Sequence, residues 1–158
     1  MQAIPRRVLC ASVCLLLVSA AIAIAVEVKF DKVEYMPPKV EGQKKSAEPV
    51  KGHLIFDKEK KAVEFQDTKS QILVTIPYDK IKSLLYEKTS RPRYAEAILV
   101  SPFFLLSKTK RHFLSIQYTD ANGSGAFCML HLDKSNASDI ANTAEAETGK
   151  SVERTEEK

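Results

Sequence analysis

The side chains of this 158-residue chain best suited to nucleophilic attack, proton transfer or metal binding are Cys128 and three histidines, His53, His112 and His131. Cys128 and His131 suggest a thiolate with its base. The alternation over residues 126–132 predicts a strand, however, and residues three apart on a strand point to opposite faces. Cys128 then shares a face with Leu130 and Leu132, while His131 shares the other with Phe127 and Met129. On that reading Cys128 is a small buried hydrophobe. No two histidines lie within four residues of each other, and neither His-Glu-x-x-His nor Cys-x-x-Cys occurs. The spacing therefore predicts no metal site. Gly123-Ser124-Gly125 falls in a turn and not between a strand and a helix, so it is no phosphate loop. No paired carboxylates stand apart from solvated loop acids. The sequence thus predicts no catalytic residue, no cofactor and no enzyme.

Charge is distributed more tellingly. Between residues 80 and 112 eight Lys and Arg stand against Glu87 and Glu96, whereas from residue 133 onward seven acids stand against four bases. Lys88, Arg91 and Arg93 occupy one expected connector, and Lys108, Lys110 and Arg111 another. If both lie at one end of the fold they make a basic rim suited to anionic lipid or polymer. A solvated surface is the plainer reading of the same residues.

Strands must carry these connectors. Residues 72–76 alternate with period two, Pro77 stops regular pairing, and Leu84 and Tyr86 resume the pattern after a corner at 78–81. This strand pair is expected to organise the sheet. Leu54 with Phe56 and Val63 with Phe65 add two earlier strands around a charged turn, giving the cadence of an antiparallel sandwich or barrel. Residues 98–100 predict another strand, followed by a turn or short helix at 101–107 that Pro102 interrupts. That apolar run is core on one reading and a patch for a partner or lipid on the other. Leu114, Ile116 and Tyr118 lead into a hairpin at 119–125, where Asn122-Gly123 suits the positive φ of such turns. Asn136 or Ser138 then caps a helix that Gly149 ends. Residues 153–158 read as a disordered tail.

Upstream, Arg6 and Arg7 precede an 18-residue apolar run at 8–25 that closes with Ala23-Ile24-Ala25. This is the layout of a cleaved signal peptide and predicts export, periplasmic or secreted. The alternative is an uncleaved anchor in an inner membrane, since that length just reaches a bilayer span. Cleavage leaves Cys128 alone, so no internal disulfide forms. The formal charge of +4 falls to +2 on losing the two arginines, which is too near balance to suggest nucleic acid. Residues 26–51 read as an N-terminal arm and linker, the first part alternating weakly and the second rich in proline, glycine and charge.

The order Leu54-Ile55-Phe56, Val63-Glu64-Phe65, Ile76-Pro77-Tyr78-Asp79-Lys80-Ile81, Leu85-Tyr86, Leu114-Ser115-Ile116-Gln117-Tyr118 and Leu130-His131-Leu132, with a helix closing at Thr148-Gly149-Lys150, resembles the pleckstrin-homology-like superfold. More narrowly, with Ser101-Pro102 and Lys108-x-Lys110-Arg111-His112, it resembles small exported bacterial proteins of unassigned function carrying such a domain. The resemblance covers residues 52–152 and implies a mainly β fold: a bent antiparallel barrel or sandwich of about seven strands capped by a C-terminal helix. Lipid-headgroup binding in that superfold uses basic residues of an early strand loop, here Lys58, Lys60 and Lys61 with Glu59 between them. The expected function is a non-enzymatic exported module binding a protein, a peptide or an anionic envelope component, with peripheral membrane contact as a further option. The alternatives are a small exported enzyme using Cys128 and a membrane-docked structural envelope protein.

Overall fold

A computed structural model of the chain describes residues 27–39, 48–95 and 109–157. Eight strands, β1 (Glu27–Met36), β2 (Val50–Asp57), β3 (Ala62–Asp67), β4 (Ile72–Pro77), β5 (Ile81–Thr89), β6 (Arg111–Thr119), β7 (Gly125–Leu132) and β8 (Val152–Glu156), are accompanied by helix α1 (Ala137–Thr148). They pair in the order β4-β3-β2-β1-β7-β6-β5-β8, and among the described residues β4 and β8 have no strand beyond them. The chain is therefore mainly β with one C-terminal helix, as expected, but its sheet does not close into a barrel. The leader at 1–25, the linker centre at 40–47, the strand expected at 98–100, the apolar run after it and Lys108 lie outside the described residues.

β1 is the strand that holds the two halves together. Its alternation slips between Phe30 and Val33, where the register with β2 jumps from Phe30↔Leu54 to Val33↔Gly52. Asp31 and Lys32 form the bulge, with Lys32 at φ 57°, and a bulge bends and twists its strand. Before it β1 pairs with β2; after it β1 also pairs with β7, from Val33↔Leu132 to Met36↔Met129. The expectation of an N-terminal arm is corrected: β1 is paired on both sides after the bulge, with Val33 and Met36 completely buried.

Two other expectations change. β4 and β5 do not pair with each other; β4 is one edge of the sheet and β5 lies near the other. Pro77 and a 3-10 turn at Tyr78–Lys80 send the chain from one half-sheet to the other instead of folding it back as a hairpin. The tail expected to be disordered supplies β8, which runs parallel to β5 from Leu84↔Val152 to Lys88↔Glu156.

The 119–125 hairpin forms as expected. Asp120 Oδ1 accepts the N–H groups of Asn122 at 2.9 Å and Ser124 at 2.8 Å. Only Gly123 takes a positive φ there, not Asn122. α1 covers the core with Ile140, Ala141 and Ala144, all fully buried against residues such as Val33, Phe56, Leu114 and Leu130. Asn136 caps α1 without a side-chain bond to the helix; its Nδ2 donates to the Asp31 carbonyl at 2.6 Å and ties the helix start to the β1 bulge.

Candidate functional site

Of the residues expected to form a basic rim, Lys88, Arg93 and Lys110 each meet an acidic residue of the chain itself. Lys88 Nζ pairs with Glu156, Arg93 Nη2 meets Glu153 Oε1 at 3.1 Å, and Lys110 Nζ donates to the Glu157 carbonyl. The Ser90 N–H and the Thr89 hydroxyl both donate to Glu157 Oε2, at 2.8 and 3.0 Å. Buried Glu87 accepts the Arg93 N–H at 3.1 Å, which pins this connector to β5. Arg91 is exposed, and Arg111 is half-buried at the start of β6. The Lys88 hydrogen bond holds the Glu156 carboxyl below its ordinary range and raises the Lys88 ammonium in turn. The Glu157 carboxyl is lowered chiefly by the Ser90 N–H, then by Thr89. The rim is thus a charge seam between the connector after β5 and the segment around β8.

Beside that seam lies a cavity of about 440 Å³ lined by Tyr86, Lys88, His112, Ser138, Arg154 and Glu156 among others. Tyr86 Oη and His112 Nδ1 are 2.6 Å apart. Burial, reinforced by Lys88, lowers the His112 imidazolium, so the ring favours its neutral form.

A second arrangement escaped the sequence reading. At the β1 bulge a cleft of about 510 Å³ is lined by Asp31, Lys32, Glu34, Lys51, His53 and His131 among others. His53 Nδ1 lies 2.6 Å from Asp31 Oδ1, and His131 Nδ1 lies 3.0 Å from Glu34 Oε2. A carboxylate within hydrogen-bond distance of Nδ1 orients an imidazole ring. Spacing tests could not find it, because the partners are 22 and 97 residues apart. Among the described residues no group of three or more His, Cys, Asp or Glu is placed to hold a metal ion.

Cys128 lies in the core, and burial alone pushes its thiol up to about 12. At neutral pH it is protonated and shielded, which is the opposite of a reactive cysteine.

A further surface feature is β4, which among the described residues has a strand on one side only. Its six positions carry no charge, and Ile72 and Leu73 are 47% and 38% exposed. They are the large apolar side chains that stand out in water among the described residues. The register slips opposite Phe65 and Gln66, which leaves Leu73 as the bulged residue.

No family model and no curated protein matches the chain. Among solved structures it is similar to the hSac2 domain from human phosphoinositide phosphatase Sac2, at 14% identity and a TM-score of 0.50, over 96% of this chain and 87% of that one. At that identity the likeness shows the fold alone. It corrects one expectation even so. The matched domain belongs to an enzyme, so the expectation that this chain is not one is withdrawn.

Proposed function

We propose that this chain is an exported interaction module of pleckstrin-homology-like fold that receives an extended segment of a protein partner along the edge of β4. The fold reading is supported by the two half-sheets, β4-β3-β2-β1 and β7-β6-β5, joined through β1, with a helix following β7 over the core. The binding reading rests on one observation: among the described residues β4 is an uncharged sheet edge without a strand beyond it, with Ile72 and Leu73 exposed. Natural sheets usually blunt such edges with charge or cover, because unpaired N–H and C=O groups template another strand. Main-chain pairing then gives affinity, and the two apolar side chains favour a partner strand that is itself uncharged and apolar. The anionic-component reading has less support, since Lys88, Arg93 and Lys110 already hold acids of this chain.

A selected extended peptide titrated into the isotope-labelled full chain is expected to shift amide resonances at 72–76. Leu73→Lys should weaken that binding at least about tenfold while changing stability by no more than roughly 0.5 kcal/mol, as for other exposed positions. Shifts confined to other elements, or a Leu73→Lys protein that binds equally well, would overturn the assignment.

Export is supported by Arg6 and Arg7 before the apolar run and by Ala23-Ile24-Ala25 at its end. N-terminal sequencing of the protein recovered from its producing cells should begin at Val26; an intact Met1 retained in the membrane fraction would favour the anchor instead.

A further inference from the structure

The residues of the basic rim grip a strand in the manner of a receptor. β8 lies in parallel register on β5, and its carboxylates are met at fixed offsets: Glu153 by Arg93, Glu156 by Lys88 and Glu157 by Ser90 and Thr89. The Glu157 N–H extends the ladder by donating to the Lys88 carbonyl at 3.0 Å. Main-chain pairing joined to charged side-chain readout is how a sheet edge recognises an extended peptide.

The strand is nevertheless lightly held. Val152 is its one buried side chain, while Glu153, Arg154 and Glu156 are exposed. Arg154 reaches back to α1 through Asn142 Oδ1 at 2.9 Å and Glu145 Oε2 at 3.4 Å. Ion pairs this exposed are screened by salt and contribute little individually. β8 therefore combines the contacts of a ligand with the anchoring of a removable one.

We infer that the edge of β5, with Lys88, Ser90, Arg93 and Lys110, is a docking site for an acidic extended segment of a protein partner, which β8 fills in its absence. The matching segment has an aliphatic residue where Val152 sits and carboxylates one, four and five positions later. Charge complementarity selects the acidic peptide, and the ladder to β5 selects a peptide over a lipid headgroup. Because this edge and β4 stand at opposite ends of the sheet order, the inference does not rest on the β4 reading.

The probe is a fluorescent peptide, Ser-Val-Glu-Arg-Thr-Glu-Glu, copied from residues 151–157 and followed by anisotropy. It is titrated into the full chain and into a full-chain variant carrying Val152→Ser, Glu153→Gln, Glu156→Gln and Glu157→Gln. A tethered competitor acts at roughly millimolar effective concentration, so the variant should bind the peptide at least about tenfold more tightly than the unmodified chain. Adding Lys88→Glu and Arg93→Glu should abolish the gain. A folded variant that binds no more tightly, binding indifferent to Lys88 and Arg93, or recruitment to anionic vesicles without peptide binding would each overturn the inference. Should the variant fail to fold, amide exchange on the unmodified chain decides: excess peptide is expected to speed exchange at 153–156 and leave β6 and β7 unchanged, and no such change refutes it.

Discussion

Gly52→Val should lower the melting temperature by roughly 10–15 °C, although residue 52 is on neither of the proposed binding edges. Gly52 sits in β2 between Val33 of β1 and Asp67 of β3. A Cβ there would lie 2.0 Å from the Gln66 carbonyl oxygen and 2.8 Å from Phe65 Cζ. The first contact is with backbone, so no side-chain rotation relieves it; β3 must move and strain its ladder with β2. Overpacking costs typically about 1–3 kcal/mol, and a backbone clash belongs at the upper end. Near 3 kcal/mol, a domain of this size loses about 4 °C per kcal/mol. Gly125→Ala is the control, because a Cβ there meets nothing within 4 Å; its melting point should move by only a few degrees. Thermal unfolding followed by circular dichroism reads both. A Gly52→Val protein as stable as the parent would mean that β2 and β3 do not approach as described.

Gly52 also marks the limit of what the sequence discloses. It reads as the glycine that ends a linker, whereas its need for hydrogen alone comes from Gln66, fourteen positions away and adjacent only once β2 and β3 pair. Local signals were legible where the cause is local. Two-residue alternation marks β2 to β7, Asn122-Gly123 marks the hairpin although Gly123 alone of the two takes a positive φ, and Gly149 ends α1 at φ 65°. The opposite-face argument for Cys128 and His131 holds for the same reason. Pairing partners were not legible, because alternation identifies a strand without naming its neighbour; β4 and β5 look like a hairpin and are not one. β8 has a single apolar residue in Val-Glu-Arg-Thr-Glu, so periodicity cannot reveal it; the edge of β5 makes it a strand. The candidate sites were missed in two ways. The basic residues were found as a group, but the acids that meet them come from the other end of the chain. The cleft pairs Asp31 with His53 and Glu34 with His131, and only the position of β1 brings those residues together.

The position of β1 yields the largest expected effect. Val33→Asp should abolish cooperative folding at 25–37 °C. Val33 is fully buried in the main core and faces Gly52 on one side and Leu132 on the other. The substitution removes the burial of a valine, about 1.5–3 kcal/mol. It also buries a carboxylate in the hydrophobic core, at an effective cost of several kcal/mol. Together these rival the whole stability of an ordinary domain, about 5–15 kcal/mol. Lys29→Asp, on the same strand before the bulge and exposed, should change stability by no more than roughly 0.5 kcal/mol. Urea unfolding and amide dispersion measure the pair. Burial disfavours the charged form, so the folded pKa of an aspartate at 33 lies above its unfolded value near 4. The deficit relative to the parent therefore narrows as pH falls toward about 4 and is complete above the folded value. A loosely docked arm would show neither effect: Val33→Asp would unfold at the same urea concentration as Lys29→Asp, at every pH. That outcome would remove β1 from the sheet and dissolve the cleft built on its bulge.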